Sequence, residues 1–114
     1  MDQVKLEYFH RYIDIITQIK AWELVENRYG RFGKTQKKIE ELRHELYDLA
    51  NSYNSCPKGE YRQAFDELFY IDFCDWLYNV LTQPEQKKIV QKYNTESKEL
   101  AKKIVMKLKE DDIL

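Results

Sequence analysis

The sequence predicts an all-α fold, an antiparallel four-helix bundle with up-down-up-down order. Three observations lead to this prediction. Apolar residues recur at intervals of three and four, no segment alternates as a strand would, and clusters of glycine, proline or asparagine leave only short connections between four helical segments. With 114 residues, 43% hydrophobic and 34% charged, the chain is expected to form one helical domain over residues 1–114.

The first predicted helix covers residues 4–29. Its apolar stripe follows helical spacing and comprises Tyr8, Phe9, Tyr12, Ile15, Ile16, Ile19 and Trp22. Gly30 is predicted to adopt the left-handed conformation that ends a helix, and Gly33 adds a second flexible point.

The second predicted helix covers residues 35–53, with Thr35 as its N-cap. Its apolar positions alternate by three and four residues, as in a helix that packs along one seam. These positions are Ile39, Leu42, Leu46, Leu49 and Tyr53.

The third predicted helix covers residues 60–81, and from Phe69 to Leu81 it is apolar around most of its circumference. It is therefore predicted to be the most buried helix. In a bundle of this size no helix can be fully enclosed, and the Tyr12/Ile16 stripe also needs cover. Because large exposed apolar patches are rare on monomers, these two surfaces predict a homodimer.

The fourth predicted helix covers residues 84–110 and follows the sequence Thr82-Gln83-Pro84-Glu85, which is typical of a capping box with a proline at the helix start. Asn94 and Thr95 mark a point where the helix could break. Its apolar stripe comprises Val90, Tyr93, Ser97, Leu100, Ile104 and Leu108.

The composition limits which cellular location and which binding partners are expected. No apolar run approaches the roughly 18 residues that cross a membrane, and the first residues lack the layout of a signal peptide, so no membrane partner is expected. Cys56, in a predicted loop, and Cys74, well inside the third predicted helix, lie too far apart for a disulfide, which favours reduced thiols and a cytoplasmic location. With 19 basic and 20 acidic residues, overall charge does not favour nucleic acid as a partner.

The charges are unevenly distributed despite this balance. In an up-down-up-down bundle the connections between helices 1 and 2 and between helices 3 and 4 lie at the same end. That end would collect a group of basic residues and is expected to bind polyanions such as triphosphates. The group comprises Arg28, Arg31, Lys34, Lys37, Lys38, Lys87, Lys88 and Lys92.

Two pairs of carboxylates are candidates for metal binding. Glu45 and Asp48 on the second predicted helix, and Asp72 and Asp75 on the third, are each spaced i, i+3 and so lie side by side on a helix surface. By its level in the hairpin, Glu41 is an alternative to Asp48. Carboxylates from two facing helices suit Mg²⁺, a hard ion that prefers oxygen ligands. The alternative, that these are ordinary surface acids, stays open.

Two segments of the sequence resemble the two motifs of the all-α nucleoside triphosphate pyrophosphohydrolases of the MazG and dimeric dUTPase type. These segments are His44-Glu45-Leu46-Tyr47-Asp48-Leu49 and Asp72-Phe73-Cys74-Asp75-Trp76-Leu77-Tyr78. Those motifs are Glu-Glu-x-x-Glu-Leu and Glu-x-x-Asp followed by aromatic and aliphatic residues. The sequence departs from them at His44, where the family has glutamate, and at Asp48 and Asp72, whose side chains are shorter than glutamate by one methylene.

The resemblance implies hydrolysis of a nucleoside triphosphate to monophosphate and pyrophosphate. Metal-binding and catalytic roles would fall to Glu45, Asp48, Asp72 and Asp75, with Glu41 as a further metal ligand. Mg²⁺ would be the cofactor, and one acid would activate the attacking water. Basic and aromatic side chains would bind the substrate, and the candidates are Lys34, Lys37, Lys38, Lys87 and Trp76, with Tyr47 and Trp22 as alternatives for stacking the base.

A second function is also consistent with the sequence. The chain could be a non-catalytic helical-bundle protein, such as an inhibitor, an immunity protein or an antitoxin-like factor. It would bind a protein partner through the aromatic surface of the third predicted helix or through the basic end.

Overall fold

The computed structural model describes residues 3–54 and 82–114, with side chains described for residues 10–49 and 82–114. These residues form three α-helices, which are α1 over Gln3–Tyr29, α2 over Gly33–Asn54 and α3 over Gln83–Glu110. They correspond to the first, second and fourth predicted helices, and the described residues contain no strand. The all-α class is confirmed for this part of the chain. The third predicted helix, residues 60–81, lies outside the described residues, so the four-helix arrangement stays a prediction.

Helix α1 is the central element of the described structure, with α2 packed against it and α3 packed against it as well. The connection between α1 and α2 is only residues 30–32. A helix of the length of α1 spans about 40 Å, which three residues cannot cross. The two helices therefore form an antiparallel hairpin, as predicted.

Two apolar clusters hold the three helices together. The first joins α1 to α2 through Tyr12 and Ile15 on one side and Leu42 and Leu49 on the other. Leu42 and Leu49 belong to the seam that the sequence predicts for the second helix. Trp22 packs against this cluster and against the second one as well.

The second cluster joins α1 to α3 through Ala21, Val25, Ile104 and Leu108. Ile104 and Leu108 were predicted as members of the apolar stripe of α3, but Ala21 and Val25 lie outside the stripe predicted for α1. Helix α1 therefore has two buried faces, where a single stripe was predicted.

Tyr12 is only 7% exposed within a single chain, because α2 covers it. Tyr12, and Ile16 which packs against the same cluster, therefore give no argument for a homodimer. The prediction of a homodimer now depends on the predicted apolar surface from Phe69 to Leu81, which lies outside the described residues.

The end of α1 is as predicted, and the start of α2 is not. Gly30 has a φ of 87°, and its N–H donates to the carbonyl of Glu26 at 2.8 Å. Helix α2 begins at Gly33, so the prediction of Thr35 as N-cap was wrong. The Thr35 hydroxyl instead reaches back to Phe32, accepting from its N–H at 3.2 Å and donating to its carbonyl at 2.8 Å. Gly33 is consequently a helical residue and not a flexible joint.

The start of α3 has the predicted capping box. The backbone N–H of Glu85 donates to the Thr82 hydroxyl, and the backbone N–H of Thr82 donates to the Glu85 carboxylate, both at 3.4 Å. Pro84 occupies the first turn, where its missing N–H costs no intrahelical hydrogen bond.

Helix α3 continues through Asn94 and Thr95 without a break. The hydroxyl of Ser97, which is buried, donates to the carbonyls of Tyr93 at 2.8 Å and Asn94 at 3.1 Å. This hydroxyl is satisfied within its own helix, which allows a polar side chain at the buried face.

Val90 was predicted on the buried stripe of α3 but is 52% exposed. The α3 side chains of the second cluster come from Leu100 to Leu108, so this cluster does not extend to the first turns of the helix. Within residues 3–54 and 82–114, none of the helices has a window apolar enough to cross a membrane.

Candidate functional site

Lysines and carboxylates share one side of α2. Their positions follow one another at intervals of three or four residues, so they lie along one line of this continuous helix. All of them are exposed, beside the apolar seam that packs against α1. We call this surface the α2 flank, and it comprises Lys34, Lys37, Glu41, Glu45 and Asp48.

The spacing on the α2 flank limits which acids can act together. Glu45 is one turn from Glu41 and one turn from Asp48, within reach of a shared ion. Glu41 and Asp48 are seven residues apart, which is about 10.5 Å along the axis. A single ion with ligands at about 2.1 Å can therefore join Glu45 to one of its neighbours but not to both.

Glu41 has a competing partner. Its carboxylate lies 3.7 Å from the ammonium of Lys38, and both side chains are about half exposed, so the contact is weak. Among the described residues, no lysine, arginine or histidine nitrogen is placed within 4.0 Å of Asp48. Asp48 is therefore the freer neighbour of Glu45, although its side chain is shorter.

In the described part of the chain, no group of three histidine, cysteine, aspartate or glutamate side chains is placed to hold a metal ion. On the α2 flank this result is expected, because Glu45 can share an ion with Glu41 or with Asp48 but not with both. The donor atoms are all carboxylate oxygens, which fit Mg²⁺. Any site must be completed from elsewhere. The residues predicted to complete it, Asp72 and Asp75, and the predicted stacking residue Trp76 lie outside the described residues.

Lys34 and Lys37 are exposed, and across the described ranges neither has a carboxylate within 4.0 Å. Lys37 is one turn from Glu41 and about 12 Å along the axis from Glu45, and Lys34 is about 16.5 Å from Glu45. Cations at these distances from a metal-binding carboxylate could contact the outer phosphates of a bound triphosphate. Lys87 is exposed near the start of α3, and its predicted position beside Lys34 stays a prediction.

The connection between α1 and α2 is less basic than the sequence suggests. The Nε of Arg31 lies 3.5 Å from a carboxylate oxygen of Glu26, whose side chain is only 12% exposed. The guanidinium of Arg28 lies 5.6 Å from the centre of the Tyr29 ring. The pairing of Arg31 was not predicted, because the left-handed turn at Gly30 is what brings position 31 back beside position 26.

Tyr93 is a further residue that sequence reasoning placed only on the apolar stripe. Partial burial of its hydroxyl raises its pKa above the ordinary value, and the nearby carboxylate of Glu23 raises it further. The Tyr93 hydroxyl therefore keeps its proton to a higher pH than a fully solvated tyrosine does.

No protein-family model, curated protein or solved structure matches the chain.

Proposed function

We propose that the protein is a Mg²⁺-dependent nucleoside triphosphate pyrophosphohydrolase that releases pyrophosphate. The observation that carries this proposal is the α2 flank, where exposed lysines and exposed carboxylates follow one another on a single line of one helix. A triphosphate needs both kinds of group, because carboxylates hold the metal at the reacting phosphate while cations neutralise the remaining phosphates.

The arrangement on α2 has a defined order. The lysines occupy the first turns, where the free backbone N–H groups of a helix also favour anions. The carboxylates occupy the following turns, and all of these side chains are open to solvent. A bound nucleotide would therefore place its outer phosphates near Lys34 and Lys37 and its reacting phosphate near Glu45.

Mg²⁺, when bound, would offset the charge of the phosphates and lower the pKa of a coordinated water. Glu45 and one neighbour, Asp48 or Glu41, would hold it together with Asp72 and Asp75. By the family resemblance, one of these acids orients and deprotonates the attacking water. Lys34 and Lys37 would bind phosphate oxygens and stabilise the negative charge of the departing pyrophosphate.

The test is pyrophosphate release from the nucleoside triphosphates, measured with and without Mg²⁺. The variants Glu45→Gln and Asp75→Asn each remove one charge at nearly constant volume, and each is expected to abolish release. The matched control is Glu40→Gln, because Glu40 is exposed on α2 but lies on a different side of the helix from Glu41 and Glu45. This control should release pyrophosphate as the parent protein does.

Two results would contradict the proposal. One is pyrophosphate release that Glu45→Gln leaves unchanged. The other is the absence of both Mg²⁺ binding and turnover in the parent protein, measured by isothermal titration with and without nucleotide. The second result would favour the non-catalytic interaction protein, whose predicted binding surfaces are the aromatic third helix and the basic end.

A further inference from the structure

Helix α3 carries twice as many lysines as glutamates, and the glutamates are confined to one side of the helix. One line of residues, spaced by three and four, mixes the two signs and contains every glutamate of the helix. This mixed line comprises Glu85, Lys88, Lys92, Glu96, Glu99, Lys103, Lys107 and Glu110. Within it, Lys92 pairs with Glu96 at 3.8 Å, and Lys107 pairs with Asp111, the residue that follows the helix, at 3.5 Å.

A second line on the same helix has no acid. Its polar members are all exposed, and we call them the lysine flank of α3. They are Lys87, Gln91, Asn94, Lys98, Lys102 and Lys109. The spacing is again three and four, with the half-buried Val105 between the last two. Within the described ranges, no carboxylate lies within 4.0 Å of these lysines.

The lysine flank is not the arrangement that favours helix stability. Lys98 and Lys102 are at i, i+4, a spacing at which like charges repel and opposite charges attract. The mixed line has like-charged pairs at the same spacing, Lys88–Lys92 and Lys103–Lys107, but each of these lysines also has a glutamate of the same line one turn away. The lysine flank contains no acid. A partner that supplies negative charge from outside would remove the repulsion.

We propose that the lysine flank of α3 binds the phosphate backbone of duplex nucleic acid without sequence preference. Lysine, asparagine and glutamine side chains are typical donors to phosphate oxygens, and these are the polar side chains that the flank presents. From Lys87 to Lys109 the flank extends about 33 Å, close to one turn of B-form DNA. It lacks arginine and aromatic residues, so it offers neither bidentate recognition of guanine nor stacking on bases.

The charge and shape of the flank favour a phosphate polymer over a lipid surface. Amphipathic helices that lie on membranes insert large apolar side chains next to their lysines. In α3 the apolar side chains Ile104 and Leu108 are buried against α1, and the exposed large apolar side chains of this helix are Val90 and Met106. These two are 16 residues apart, about 24 Å along the axis, and do not form an apolar stripe that could insert. Binding at the flank would therefore be almost purely electrostatic.

The experiment measures anisotropy of a labelled mixed-sequence DNA duplex of about 20 base pairs, titrated with the full chain between about 50 and 200 mM salt. Each phosphate neutralised contributes about −0.9 to the slope of log K against log salt, so four lysines predict about −3.6. The triple variant Lys98→Gln/Lys102→Gln/Lys109→Gln should reduce the slope to about −0.9 and weaken binding at low salt more than about a hundredfold.

The control is the triple variant Lys92→Gln/Lys103→Gln/Lys107→Gln, which removes the same charge from the mixed line of the same helix. It should keep the parent slope, and circular dichroism should show both variants to be as helical as the parent. Equal losses in the two variants would overturn the proposal, because only net charge would then matter. Absence of binding at low salt would overturn it too, as would tighter binding to vesicles with anionic lipids than to DNA.

The variant Lys34→Gln/Lys37→Gln separates this proposal from the function proposed above. It removes the lysines of the α2 flank, which bind phosphates in the proposed function, and leaves α3 intact, so duplex binding should weaken far less than in the α3 triple variant. Loss of duplex binding in this variant would assign the binding to α2 and contradict the role of α3.

Discussion

The hydroxyl of Thr35 is bonded to both backbone groups of Phe32, accepting from the N–H at 3.2 Å and donating to the carbonyl at 2.8 Å. Thr35 is fully buried, so this hydroxyl has no access to water. One side chain thereby fixes the connection between α1 and α2 and positions the first turn of α2, which carries Lys34.

Replacing Thr35 with valine is expected to destabilise the fold by about 1–2 kcal/mol, because valine keeps the shape but leaves the Phe32 N–H without its acceptor. Thr35→Ser keeps the hydroxyl and should cost less. Urea unfolding followed by circular dichroism measures both. Equal stabilities of the valine variant and the parent protein would show that the Thr35 hydroxyl does not hold the connection.

Leu108→Ala should reduce the free energy of unfolding by about 2–5 kcal/mol, because Leu108 is buried between α3 and α1 and its loss leaves a cavity. Met106→Ala is the matched control, since Met106 lies two residues away and is 63% exposed. Thermal and urea unfolding compare the two variants. Similar effects of the two substitutions would contradict the packing of α3 on α1.

Charge reversal at Lys34 and Lys37 should abolish the weak, salt-sensitive binding of nucleoside triphosphates, because exposed charges act over a Debye length of about 8 Å at physiological ionic strength. The third lysine predicted for this binding, Lys38, already contacts Glu41 and should contribute less. Isothermal titration at two salt concentrations measures the affinity. Unchanged affinity in Lys34→Glu/Lys37→Glu would reduce this cluster to a solvated surface.

The free energy of unfolding should fall as the pH rises through and above about 10, in part because of Tyr93. Burial and Glu23 raise the pKa of its hydroxyl in the folded state, so the folded chain holds this proton more tightly than the unfolded chain. The contribution of Tyr93 is fully present below the pKa of the unfolded state and is lost as the pH rises through the higher pKa of the folded state. Tyr93→Phe should show a smaller decrease in this range by urea unfolding, and an identical decrease would contradict the assignment.

A homodimer is still predicted from the apolar surface between Phe69 and Leu81. Light scattering at micromolar concentration should then give about twice the chain mass of 13.9 kDa. A mass equal to a single chain would contradict the prediction. Because Tyr12 is covered by α2, substitutions at that position test the hairpin and not the dimer.

The sequence predicted correctly those helix ends whose interactions involve residues only a few positions apart. The capping box at Thr82 and the glycine at position 30 have a short-range mechanism, and both are observed. Thr35 was misplaced because threonine at the N-cap and threonine three residues later both bond the helix start, and the sequence pattern is similar. The second buried face of α1 was missed since Ala21 is small and Val25 stands alone, so neither produces a strong apolar stripe.

The candidate site could be predicted only in part. The seam of α2 fixes which of its residues face α1, and hence that Glu41, Glu45 and Asp48 are exposed. Whether Asp72 and Asp75 meet these acids depends on how a further helix packs, and a single helix surface does not determine that. The pair Arg31–Glu26 depends on the turn at Gly30 and not on helical spacing, so periodicity could not reveal it.

Trp22 contacts both apolar clusters, the one shared with α2 and the one shared with α3. Because the same indole packs into both, loosening either cluster exposes part of the other. The hairpin and α3 should therefore melt as one cooperative unit, with no stable species in which α3 has detached. Helix α1 thus couples the packing of α2 to the packing of α3. The fluorescence of Trp22 would report the loss of both contacts at once.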